Sequence, residues 1–322
     1  MRPSPRFPSL VLAVALLVTS PRVWGQNLLS TPHLDGFMAA RTAPTIPGAV
    51  EPSDSSGTGA FEPGGSGPAA EPAAPQHQGL LSTLGSDANV AGRTFSLFVR
   101  HEAWPQGAGQ FLYLGGLAGA SALLEAHKES LRRDVLGSAF DRHSHWTEIG
   151  GTLGLTRVTY LTAAAFYLGG LAAGETEVRR TGLILAESVL VAQGVAGAVN
   201  FGVSEERPEA GGAIRFFHSG GSSVSIHMTN TAALARVLDH RLARFEPTDS
   251  RGRRLLKILA KVVIYSIPAI TAWQGVRSDQ HYLWNVVLGG GLSAYVTDGI
   301  LRAYDGATTP VPTPYLLPQV LP

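Results

Sequence analysis

Three short stretches in the second half of the chain carry residue types that suit the binding of an oxyanion. In NFGVSEERP, Asn200 is separated by six residues from the pair Arg207-Pro208. A guanidinium such as Arg207 offers a planar fork that meets phosphate through two parallel hydrogen bonds, and Asn200 can add a neutral donor. In FFHSGGSS, Ser219 and Gly220 open a predicted helix. Unsatisfied N–H groups and the positive dipole end at such a start favour an anion. In QGVRSDQHYLWN, His281 opens the last predicted helix and Asn285 follows four residues on. That spacing puts both on one face, one turn apart, so the Asn285 amide oxygen is expected to accept the imidazole N–H and fix its tautomer.

The order of these stretches, and their placement where loops meet helices, resembles the three signature motifs of the type 2 phosphatidic acid phosphatase superfamily. That superfamily includes lipid phosphate phosphatases, bacterial non-specific acid phosphatases and vanadium haloperoxidases. Its first motif is a lysine, six residues, then Arg-Pro; its second is Pro-Ser-Gly-His. The third is Ser-Arg, five residues, a histidine, three residues, an aspartate. Carried over by position, Arg207, Pro208, Ser219, Gly220 and His281 match. The lysine is Asn200, the second-motif proline is His218 and its histidine is Gly221. The Ser-Arg pair falls on Gln274 and Gly275, and the aspartate on Asn285. The resemblance runs from about residue 110 to 302.

It implies that His281 attacks phosphorus, that Arg207, Ser219, Gly220 and Asn200 hold the phosphate, and that no metal or other cofactor is needed. The departures predict weakened chemistry. Asn285 lacks the negative charge that would stabilise an imidazolium. Two of three family cations are gone, and hydrogen bonds to charged groups are worth about 1.5 to 3 kcal/mol each. Gly221 removes a general acid of the kind that contributes about 100- to 10,000-fold in rate. Among neighbours, His218, His227, Arg215 and Arg277 are the substitutes to weigh, with Arg277 the strongest stand-in cation and His227 expected far along its helix. Taken singly, each stretch also reads as ordinary structure: a capping serine, a solvated loop with a local ion pair, a surface histidine. Tyr282 and Trp284 read as packing or interfacial aromatics. His143 and His145 lack a third ligand for a metal, and His101 and His127 show no ligand spacing.

The elements that must position these residues are long apolar blocks at 110–126, 147–174, 181–200, 222–238, 255–273 and 283–302, nearly free of internal proline apart from Pro268. They predict an all-α domain over 86–305, a bundle of about six helices. Before it, residues 26–85 are rich in Pro, Gly, Ser and Ala and predict a tether without chemistry, and residues 306–322 form a Pro-rich tail. The first 25 residues place Arg2 and Arg6 ahead of an apolar run from Leu10 to Val18, the pattern of a cleaved signal peptide or, alternatively, of an uncleaved anchor. Export to the periplasm or cell envelope follows as an expectation.

The chain has no cysteine, which excludes disulfides, thiolate sites and a cysteine-linked lipid anchor. A net charge of +1 offers no attraction for nucleic acid. With 44% hydrophobic and 15% charged residues, the chain is apolar for a water-exposed protein yet polar for a densely embedded one. If a cleaved signal left the N-terminus outside and all six blocks spanned, the Arg-rich joins after the second and fourth would lie outside, against the usual bias. An envelope-facing bundle on or partly in a membrane is therefore the expected arrangement. The expected function is a phosphatase of this superfamily, acting on a phosphate-bearing small molecule or lipid. The alternative is a non-catalytic member serving as a structural or phosphate- or lipid-binding module; a vanadate-dependent haloperoxidase ranks third, because vanadate needs the missing cations.

Overall fold

The computed structural model describes residues 79–136 and 145–308. The leader, most of the tether, the tail beyond 308, and His143 lie outside the described residues. Nine α-helices are present among the described residues: α1 Leu80–Leu97, α2 Ala108–Ala126, α3 Lys128–Leu136, α4 His145–Gly154, α5 Thr156–Ala173, α6 Thr176–Gly202, α7 Ile226–Leu242, α8 Arg251–Arg277 and α9 Leu283–Thr308. One antiparallel hairpin, β1 Val203–Glu205 and β2 Ile214–Phe216, pairs Val203 with Phe216 and Glu205 with Ile214. The architecture is an all-α bundle, as composition and block length predicted.

The helices exceed six for physical reasons. The α3 segment KESLRRDVL is polar on most of its surface, and α1 mixes Ser, Thr, Asp and Gly among its apolar residues, so neither stands out as an apolar block. The second block divides because Leu155 takes an extended conformation between α4 and α5. Two starts are set by serine: the hydroxyl oxygens of Ser225 and Ser250 accept from the backbone N–H of Met228 and Arg253 and cap α7 and α8.

α9 is the central element, buried along most of its length. Its Val296, Ile300 and Leu301 pack with Ile184, Leu185 and Val189 of α6 and with Ala233 and Val237 of α7. Alongside, α5 and α6 approach so closely that a Cβ at Gly182 would fall 2.4 Å from the Ala163 carbonyl oxygen. Mid-bundle, Arg236 of α7 meets Asp298 of α9 with Nε–Oδ1 at 3.0 Å, and donates to the Tyr265 hydroxyl of α8 at 3.1 Å.

The bundle has two distinct ends. At one, Arg241 at the close of α7 pairs with Glu177 at the start of α6, and His240 lies 3.8 Å from Asp305 near the end of α9. At the other, the end of α6, the hairpin, the start of α7 and the α8–α9 join converge. Both α6 and α8 are long and apolar enough to cross a membrane by length and composition.

The Arg236–Asp298 pair, buried on both sides, generates a stability prediction. Asp298→Ala strands a buried guanidinium and is expected to lower unfolding stability by about 3–5 kcal/mol. Asp298→Ala and Arg236→Met together are expected to recover most of it. Denaturant titration of the two variants measures both effects.

Candidate functional site

The converging end is organised by a buried carboxylate. Glu205, the last residue of β1, is 1% exposed. Its Oε1 accepts from Lys128 Nζ of α3 at 2.7 Å, and its Oε2 accepts from the Asn285 amide of α9 at 2.9 Å. Burial pushes this carboxyl up, and the two hydrogen bonds pull it back toward its charged form. The backbone of Glu205 ties down the following loop as well. Its N–H donates to Ser223 Oγ at 2.9 Å, and its carbonyl accepts from the Ser222 N–H at 2.9 Å.

Loop 217–225 is held from the α6 side by Asn200. That side chain accepts from the Val224 N–H at 2.7 Å and donates to the Val224 carbonyl at 3.0 Å. Ser225 then caps α7, and His227 is the second residue of the helix. Gly154 lies directly against it, since a Cβ there would fall 2.5 Å from the His227 Cβ.

His281 sits in the α8–α9 join, beside Gly275 and partly buried. The Ser222 backbone lies near the imidazole, and the buried Nδ1 has no partner among the described residues. Burial, then the charges of Arg207 and His227, push its imidazole down to about 4. His227 is shifted downward by burial and by Arg207 as well. The charge of Arg207 acts on both imidazoles and that of His227 acts on His281, which groups Arg207, His227 and His281 at this end of the bundle. Arg207 is exposed, in the hairpin loop just ahead of Pro208, and has no carboxylate partner among the described residues.

Several expectations need correction. Ser219 and Gly220 do not begin a helix. They form an exposed turn, and α7 starts at Ile226, because Asn200 holds both backbone groups of Val224 and Ser225 provides the cap. Asn200 therefore has its amide engaged by backbone rather than facing an anion. Asn285 does not orient His281. Its oxygen accepts from the Tyr282 N–H at 2.7 Å, capping α9, and its NH2 serves Glu205 and the Ser223 carbonyl. Arg277 donates to the Val135 carbonyl at 2.8 Å and lies over the Trp273 ring, so it is not a stand-in cation. His227, expected far along its helix, stands at the helix start in the cluster. The missed signal was Ser225, a stronger cap than Ser219 because Ile226 begins the helix-forming run directly after it. Lys128 and Glu205 carried no motif and could not be paired from sequence, being 77 residues apart.

Comparison with protein-family models, with curated proteins and with solved structures gave no match.

The lowered pKa of His281 has a definite sign in stability. Its folded value lies below the unfolded value of about 6.5, so the unfolded chain binds more protons across that interval. The contribution is complete above about pH 6.5 and is lost as pH falls toward about 4. His281→Gln is expected to show a shallower fall in unfolding midpoint over this range than the wild type. Parallel pH profiles would contradict a depressed imidazole.

Proposed function

We propose that the chain is a phosphohydrolase of the type 2 phosphatidic acid phosphatase kind, with its second motif on Val224-Ser225-Ile226-His227 instead of His218 to Gly221. The convergence of Arg207, His227 and His281 carries this reading. Each then occupies the role that the family gives to its first-motif arginine, second-motif histidine and third-motif histidine, and the general acid missing at Gly221 is supplied by His227.

The chemistry follows from the three groups. Arg207 holds two equatorial oxygens of the phosphoryl group and offsets charge as it develops. A ring-nitrogen lone pair of His281 attacks phosphorus as the P–O bond to the leaving group breaks, and His227 gives its proton to the departing oxygen. Neutral His227 then takes a proton from water, which attacks the phosphohistidine, breaks the P–N bond and releases inorganic phosphate. A depressed His227 pKa leaves little of the acid form at neutral pH, so turnover of alkyl phosphates is expected to favour the acid side.

A second reading rests on the shortage of cations. Asn200 and Gly275 stand where the family has lysine and arginine, and Lys128, Arg132 and Arg277 are engaged by Glu205, Asp279 and the Val135 carbonyl. A site with Arg207 as its single free cation among the described residues suits a phosphate-binding module without turnover.

Hydrolysis of an aryl and an alkyl phosphate separates these readings. His281→Ala is expected to abolish both activities. His227→Ala is expected to slow the alkyl ester about 100-fold or more, and the aryl ester far less, since a good leaving group needs no proton. Rates unchanged in His281→Ala would remove the histidine nucleophile. Absent turnover with vanadate binding lost in Arg207→Ala would favour the binding module.

A further inference from the structure

The geometry points to a phospholipid bilayer as the occupant of the outward face of α8, with the arginine cluster at its start on one surface and the Arg207–His227–His281 site opening on the other. The helix is 27 residues long, about 40 Å at 1.5 Å per residue, against a hydrocarbon core of about 30 Å. From Val262 to Val276 it carries no charged side chain. Its Leu255, Leu256, Ile258, Leu259, Val262 and Val263 are between 48% and 68% exposed, and only 17% of its most apolar window is buried among the described residues. A core helix of a water-exposed bundle buries such a face.

Charge identifies the covering material. Arg251, Arg253 and Arg254 stand exposed where α8 begins, directly before its apolar face. Arg251 and Arg254 have no carboxylate partner among the described residues, an arrangement that suits anionic headgroups. A second copy of the chain would bring three arginines near their equivalents or near apolar surface. The lysines further along are neutralised: Lys257 pairs with Asp249 at 2.8 Å, and Lys261 pairs with Asp239. At the opposite end Trp273 is 39% exposed, and Phe201, Phe216 and Phe217 are between 55% and 75% exposed. These are the aromatics expected where a spanning bundle meets the second interface.

The two ends are fixed by the contacts. α6 and α8 both finish beside the site, through Asn200 on Val224 and Gly275 on His281. Both start at the other end, where Glu177 and Arg241 tie the α5–α6 join to the close of α7. Both Arg-rich joins thus share one surface, opposite the site. The negative potential of the cytoplasmic leaflet draws that surface inward and leaves the site facing away from the cytoplasm. This inference does not depend on hydrolysis.

The absence of cysteine makes the test clean. Ala213→Cys lies in the exposed hairpin loop at the site end, and Gly252→Cys replaces an exposed glycine with open space around it. Cells expressing the full-length variants are treated with a membrane-impermeant maleimide before and after permeabilisation. The expected result is labelling of Ala213→Cys in intact cells and of Gly252→Cys only after permeabilisation, with the protein resisting alkaline extraction from membranes. Labelling of both positions under the same condition, the reverse order, or release by alkaline extraction would each overturn the proposal.

Discussion

A buried carboxylate needs cationic or hydrogen-bonding partners wherever it goes, and Glu205 imposes that demand on the whole site end of the bundle. Lys128 meets it from α3 and Asn285 from the first turn of α9. Because Asn285 also caps α9, the position of the helix start, and of His281 four residues earlier, is tied to the same carboxylate. The backbone of Glu205 anchors Ser222 and Ser223, and the loop that follows leads through Val224 to the Ser225 cap and His227. Arg207 lies two residues beyond Glu205 in the hairpin loop. One charge thereby sets the placement of all three groups of the cluster while touching none of them.

This arrangement explains why Asn285 and Asn200 hold partners other than an imidazole or an anion. Asn285 is drawn to Glu205, the Ser223 carbonyl and the Tyr282 N–H, and does not serve the imidazole of His281. Asn200 is likewise turned to the backbone, where it fixes the register of loop 217–225 and so decides which serine caps α7. A lysine at position 200 could not both accept from and donate to Val224. The neutral amide thus favours a rigid approach to α7 over an additional positive charge, and Arg207 is left as the principal cation of the cluster.

Away from the site, the bundle follows from close packing about α9. Glycines at 182 and 289 bring helices within reach of each other's backbone, and the Arg236–Asp298 pair joins α7 and α9 at mid-height. With the central helix so enclosed, the apolar side chains of α8 find no surface among the described residues to cover them. The apolar outer face and the polar, tightly bonded site end are two results of the same packing.

The helical class, the six main apolar blocks and the candidacy of Arg207 and His281 were legible in the sequence, because periodicity, proline placement and local spacing are local properties. The polar helix α3 and the break at Leu155 were not, since neither changes the apolar pattern enough to register. The true start of α7 depended on Asn200 reaching Val224, a contact across 24 residues, and an error of a few residues there hid His227 behind Ser219. The pairing of Glu205 with Lys128 and Asn285 had no sequence signal. Burial turns an ordinary glutamate into an organising charge, and burial is decided only when distant segments pack.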